Sequence, residues 1–230
     1  EIMNSRYVLA TIEPKIDTLP NQAFANKDLL FDWTAFQIPK GTCAIKSINI
    51  IVQGKDAVAA NGSLDFGLFF AKSINGVAPP SLGDANSAIT VIKAAAARRH
   101  IIAYQAIDSS EMEDAQDALV GYNILGSGNH NSANIAANRH DAVLEGDPSF
   151  GGDANYSKTV EGFQTIWVAG ITIGAANYGT NGTSAQVIGT VTAVTADTIT
   201  TDGVGFDGAL ANDDEVCFRS PITLRLGLEY

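Results

Sequence analysis

Three histidines and 25 carboxylate side chains are the groups from which chemistry could be built in this chain of 230 residues. His130, His140 and Asp141 lie in one polar stretch with Asp147 and Asp153 close by, a set of nitrogen and oxygen donors that could in principle ligate a transition metal. Their separations do not match the short fixed ligand spacings of zinc or iron motifs, so they read as solvent-facing loop residues. His100 follows Arg98 and Arg99 and reads as a polar residue at the entry of a strand. Asn212, Asp213, Asp214 and Glu215 offer oxygen ligands that calcium would accept. They do not fall in EF-hand order, and an exposed acidic turn is the simpler reading.

Nucleophilic catalysis fares no better. A G-x-S-x-G turn is absent, and Gly126-Ser127-Gly128 lacks the Lys-Ser/Thr ending of a phosphate loop. Glycosidase carboxylates meet in space and not in sequence, and nothing raises any pair here above its background. Asn61, Asn155 and Asn181 each stand two residues before Ser or Thr, a frequency that chance explains in a chain so rich in these residues. Cys43 and Cys217 are too few for a disulfide framework and too far apart for a zinc cluster. They read as two small buried thiols, with pairing possible only if the fold brings them together. No catalytic residue, metal ligand or cofactor-binding residue is expected.

Composition narrows the partners. The hydrophobic share is 46%, ordinary for a globular fold, but only 17% of residues are charged. Asn, Ser, Thr, Gly and Ala must then cover much of the surface, as happens where a surface packs against neighbours. The formal net charge is −11, with no basic cluster beyond Arg98 and Arg99, so a nucleic-acid partner is not expected. No run of about 18 apolar residues exists and no signal-peptide pattern opens the chain, so a soluble protein without a membrane partner is expected.

The elements that must position all of this are strands. Residues 6–13 (RYVLATIE) alternate and stop at Pro14. Residues 29–38 (LLFDWTAFQI) place Leu29, Phe31, Trp33 and Ala35 on one face by period two, and Pro39-Lys40-Gly41 makes the turn. Residues 44–52 follow with Ile48, Ile50 and Val52 in register, and residues 63–72 (SLDFGLFFAK) align Leu64, Phe66, Leu68 and Phe70. Asp84 is a candidate cap for a helix with the stripe Ala85, Ala88, Ile89, Ile92, Ala95 and Ala96, although the run Ile89-Thr90-Val91-Ile92 pulls toward strand. Residues 100–107 return to strand. Ser110 with Glu113 has capping-box spacing for a second short helical turn.

Residues 121–160 are rich in Gly, Asn, Ser and Asp and read as a long polar excursion from one end of the fold, with a short strand near 122–125. Residues 163–173 (FQTIWVAGITI) are apolar on both faces, so this strand is expected to be covered on both sides. In residues 222–230 (ITLRLGLEY) Ile222, Leu224, Leu226, Leu228 and Tyr230 oppose Thr223, Arg225 and Glu229. Between these two strands, β-branched runs at 187–195 and 198–201 flank Ala196-Asp197, and a short strand closes at 215–218. The pattern predicts a mainly β protein, a jelly-roll-like antiparallel sandwich with one or two short helices. Its core comprises residues 1–185 and 220–230, with residues 186–219 as an inserted small β-module.

The strand LDFGLFF at 64–70, the polar middle, TIWVAGITI at 165–173 and the closing ITLRLGLEY resemble virion structural proteins of tailed bacteriophages, the jelly-roll proteins that decorate capsids or build head fibres. The resemblance implies a protein of the virion without enzymatic activity, one that binds the major capsid protein or other virion subunits, commonly as a trimer or dimer. The inserted module departs from the plain pattern. Residues 14–28 and 121–160 are the segments expected at subunit contacts.

Two other readings follow from the residues alone. A carbohydrate-binding sandwich of a fibre or adhesin would stack sugar rings on Trp33, Tyr156 or Tyr178. A hydrolase would bring two dispersed carboxylates together in a deep cleft.

Overall fold

The alternating stretches fold as antiparallel strands: β1 (Tyr7–Ile12), β2 (Leu29–Pro39), β3 (Thr42–Val52), β4 (Phe66–Ala71), β5 (Ile101–Ile107), β6 (Glu113–Asp114), β7 (Leu119–Ile124), β8 (Ala142–Glu145), β9 (Phe163–Thr172), β10 (Gln186–Thr190), β11 (Glu215–Phe218) and β12 (Ile222–Glu229). One helical turn, α1 (Ala95–Arg98), follows a 3-10 turn at Val91–Lys93. The structure is a computed structural model and describes residues 6–14, 16, 24–52, 65–109, 112–114, 119–124, 142–147, 162–175, 186–190, 215–218 and 222–230.

Two antiparallel sheets pack face to face. The first runs β1-β12-β3-β7-β6, with β8 also paired to β3; the second runs β2-β9-β4-β5. The chain crosses between the sheets from β1 through β4, stays in the second sheet for β5, crosses back for β6–β8 and again for β9, and β12 returns to lie between β1 and β3. This is the strand order of a jelly roll, two interlocked Greek keys. β9 and β12 are both interior strands, one in each sheet, so neither forms an edge of the sandwich.

The core lies between the sheets because each inner face is apolar at every second position. From β12 come Ile222, Leu224, Leu226 and Leu228, from β3 Ile45, Ile48 and Ile50, and from β4 Phe66, Leu68 and Phe70, all buried. Each such side chain contributes roughly 1.5–3 kcal/mol by leaving water. Phe36 meets Phe70 edge to face with ring centroids 6.4 Å apart. Tyr230, expected on the inner face, is 42% exposed, because the strand ends at Glu229 and the core ends with it.

β2 departs from simple alternation. Its pairing with β9 shifts register between Leu29 and Phe31 and again between Phe31 and Thr34, and each bulge turns the following side chains over. Phe31, Phe36 and Ile38 therefore enter the central core, whereas Leu29, Trp33 and Ala35 pack on the far side of the sheet. A single-face assignment of Leu29, Phe31, Trp33 and Ala35 is corrected accordingly.

β9 is covered on both sides, as expected: Ile166 and Val168 face the central core, and Ala169 and Trp167 face outward and are still buried. The outer cover is the connection between β4 and β5, whose Leu82, Ile89, Val91 and Ile92 pack with Leu29, Ala169 and Trp33. Backbone bonds staple it down, from Leu29 N–H to the Ser87 carbonyl (2.9 Å) and from Asn86 N–H to the Leu29 carbonyl (2.8 Å). Those bonds tie down a turn at residues 85–87 where the three-four spacing predicts a helix. Only Ala95–Arg98 is α-helical, and Asp84 caps nothing.

The second helical expectation fails for a similar reason. Glu113 and Asp114 pair with Val120 and Leu119 as strand β6, so Glu113 is consumed by a ladder and not by a capping box. The short strand near 122–125 is β7, placed at Leu119–Ile124. β8 lies within the polar excursion and pairs with the start of β3. β10 and β11 pair with each other and, among the described residues, with neither sheet. The turn expected at Ala196-Asp197 lies outside the described residues.

Parts of the 14–28 segment are internal: Ile16 and Phe24 join the central core. Asp28 and Thr172 lock this segment to the end of β9. The Thr172 hydroxyl donates to the Ala25 carbonyl (2.5 Å) and accepts from the Asp28 N–H (3.1 Å), and the Asp28 carboxylate accepts from the Ala25 N–H (2.7 Å).

Candidate functional site

The carboxylates described by the structure work as staples for loops. Asp32 accepts from Leu82 N–H (3.0 Å), Asp65 from both Ser109 N–H (2.8 Å) and Ser109 Oγ (2.5 Å), and Asp147 from Gly76 N–H (2.8 Å). Each satisfies a backbone donor that a loop would otherwise leave unpaired. Among the described residues, no group of three or more His, Cys, Asp and Glu side chains is placed to hold a metal ion. His100 is buried, with Nδ1 2.8 Å from the Lys72 carbonyl, which joins the two ends of the connection between β4 and β5.

Cys43 is a free thiol buried in the central core, within 3.4 Å of the Pro39 carbonyl, and burial raises its pKa. Trp33, considered above as a sugar-stacking platform, is partly buried instead: its Nε1 donates to the Pro80 carbonyl (2.9 Å) and its ring packs beneath the covering connection. His130, His140, Asp141, Asp153, Asn212, Asp213, Asp214, Tyr156 and Tyr178 lie outside the described residues, as do Asn61, Asn155 and Asn181.

What the fold does present is a sheet face. Odd-numbered residues of β1 point outward, giving Tyr7 at 69% and Leu9 at 61% exposure. Cross-strand register carries this face across the first sheet: Tyr7 opposes Glu229, which opposes Ala44, which opposes Val143. The next row is Leu9, Gly227 and Ser47, then Thr11, Arg225 and Asn49, and a further row holds Thr223, Ile51 and Val120. Val143 and Val120 are both exposed, as is Arg225. Exposed apolar side chains thus stand among Ser, Thr, Asn and Gly, with Arg225 and Glu229 on the same face.

Two of its charges meet each other. A bulge at Lys46 interrupts the register of β3 with β12, and the Lys46 Nζ lies 3.1 Å from the Glu229 carboxylate. The Tyr7 hydroxyl donates to the same carboxylate at 3.2 Å. Gly227 sits beneath the Ser47 hydroxyl, where any Cβ would collide with it, and this close approach keeps the middle of the face flat.

The two outer faces therefore differ. The second sheet is roofed by its own β4–β5 connection, whereas the first exposes large apolar side chains on β1, β7 and β8. Sequence alternation in 6–13 already assigns Tyr7 and Leu9 to a face opposite Val8, Ala10 and Ile12. The missed contributor is Val143, whose four-residue strand carries too short a pattern to be seen. Such a surface can bury apolar area against a partner. Set against protein-family models, curated proteins and solved structures, the chain matches none.

Proposed function

We propose that this chain is a non-enzymatic structural protein of a virion, a capsid decoration protein of a tailed bacteriophage that binds and stabilises the major capsid shell. The observation that carries this reading is the unequal treatment of the two outer sheet faces: one is covered from within the chain, the other displays Tyr7, Leu9, Val120 and Val143 among polar residues, with Arg225, Glu229 and Lys46 between them. A face that combines exposed apolar and charged side chains suits contact with a protein partner. Jelly rolls are a recurrent architecture of capsid proteins, though lectins and cupins share it, so the fold supports the reading by analogy only. The low charge content and the absence of a basic cluster fit a partner that is protein and not nucleic acid.

Cryo-electron microscopy of particles from the source of this chain tests the proposal. Sandwich density seated on the shell through the β1-β12-β3-β7 face is the expected result. Particles that lack this density overturn it.

A further inference from the structure

We propose that two copies of this chain pair through β1, antiparallel about a two-fold axis at Leu9, so that the first sheet continues from one copy into the other. The argument begins with backbone geometry. Arg6 and Tyr230 exchange both of their backbone bonds, N–H to carbonyl, at 3.2 and 3.0 Å. In an antiparallel ladder that pattern repeats at every second residue, so Val8, Ala10 and Ile12 also turn their N–H and C=O groups toward β12. Tyr7, Leu9 and Thr11 must then turn theirs the other way. β1 ends the strand order on that side, and none of the described residues pairs with it there.

The other edges of the two packed sheets carry the features that deter pairing. β2 is bulged twice and holds Asp32; β5 has an extra residue, Ile102, in its pairing with β4; β6 is two acidic residues long; β8 is only four residues long and ends in Glu145. β1 has none of these. Between Tyr7 and Ile12 it holds no charge and no proline, and its register with β12 is unbroken.

A second copy fits this edge better than an unrelated strand because the edge is complementary to itself. With the axis at Leu9, Leu9 opposes Leu9 of the other copy, and Tyr7 opposes Thr11 in both directions. Every outward N–H then meets an outward carbonyl, closing about six hydrogen bonds. The two exposed Leu9 side chains meet on the axis with a Tyr7 diagonally on either side, and no like charges face each other. Such a contact is isologous and closes at two copies. It depends on the geometry of one edge and stands independently of the virion reading.

Sedimentation velocity of the full free chain over a range of concentrations, with variants at position 9, tests the pairing. The wild type should show a monomer–dimer equilibrium. Leu9→Pro removes a donor that faces away from β12, and Leu9→Lys sets two like charges on the axis. Both should weaken the dimer by about tenfold or more while the melting temperature stays within about 2 °C. A third variant fixes the register: in a Cys217→Ser background, Leu9→Cys should form an intermolecular disulfide on mild oxidation, since only the residue on the axis meets its own copy at about 5.5 Å between Cα atoms. Tyr7→Cys should not. A wild type that stays monomeric at about 1 mM, a dimer that survives Leu9→Lys, or Tyr7→Cys cross-linking as readily as Leu9→Cys would each overturn the proposal. Because these readouts use the free chain, they stand apart from the particle imaging that tests the virion reading.

Discussion

The ring of Phe31 lies over the backbone of Gly170, in the space any Cβ at that position would need. The contact joins β2 to the interior strand β9 at the point where a bulge turns Phe31 into the central core. Gly170→Ala should therefore cost about 2 kcal/mol through overpacking. Chemical denaturation checks this, and a cycle with Phe31→Leu should recover part of the loss, because the smaller side chain vacates the contested volume. Equal destabilisation with and without Phe31 would show that the cost arises elsewhere.

Thr172 joins the end of β9 to the segment before β2 through its hydroxyl, which donates to Ala25 and accepts from Asp28. Thr172→Val keeps the shape and removes the bonds, so a loss of about 1–2 kcal/mol is expected. Hydrogen exchange should localise it, with the amides of Lys27 and Asp28 exchanging faster than those of β12.

Trp33 anchors the cover of the second sheet by donating to the Pro80 carbonyl. Trp33→Phe removes that bond and leaves most of the packing, and should cost about 1 kcal/mol. Limited proteolysis should then cut residues 73–83 sooner than in the wild type, while the strands of both sheets resist as before.

Alkali should weaken the fold before it changes the chemistry of the surface. Burial raises the pKa of the Cys43 thiol and of the Tyr104 phenol. In both cases the folded state favours the neutral, protonated form, so the unfolded chain releases its protons first. The stabilisation is complete below the ordinary values of 9.0 and 10.0 and is lost as pH rises from them through the raised values of the folded state. Urea midpoints measured from neutral pH into this range should fall, and Cys43→Ala should make the fall shallower.

How far the residues reveal this fold depends on how long each pattern runs. β12 alternates cleanly over its whole length, and the inward set Phe66, Leu68 and Phe70 of β4 is readable by period two although Gly67 and Ala71 are buried as well. β2 is readable as a strand but not in phase, since its bulges are set by pairing with β9 and leave no local mark. β8 is four residues inside a polar stretch and becomes a strand only because β3 offers it an edge. The stripe from Ala85 to Ala96 suits a helix in isolation. Its Ile89 and Ile92, with Val91, instead pack over the outer face of β9, a surface that exists only once the sheet has formed, while Ala88, Ala95 and Ala96 stay exposed. The dipeptide Asn75-Gly76, both residues at positive φ, makes the tight turn between Ile74 and Val77, a local signal inside a stretch whose prolines and glycines otherwise suggest only a loop. The exposed face of the first sheet follows from alternation in β1, but its width needs the register of four strands.

That width supplies the last prediction, which separates binding from folding. Val143 is 52% exposed and lies in the same cross-strand row as Tyr7, at the far side of the face. Val143→Asp should change stability by no more than about 0.5 kcal/mol, because nothing in the core touches that side chain's outer surface. If the face is the one that meets the shell, burying an unpaired carboxylate there should weaken attachment by about tenfold or more, equivalent to about 1.4 kcal/mol. Position 143 lies away from the β1 edge, so the monomer–dimer equilibrium of the free chain should be unchanged. Co-sedimentation of wild-type and variant protein with shells stripped of this chain reads the effect directly. Undiminished attachment of Val143→Asp would move the shell contact to another surface while leaving the pairing through Leu9 intact.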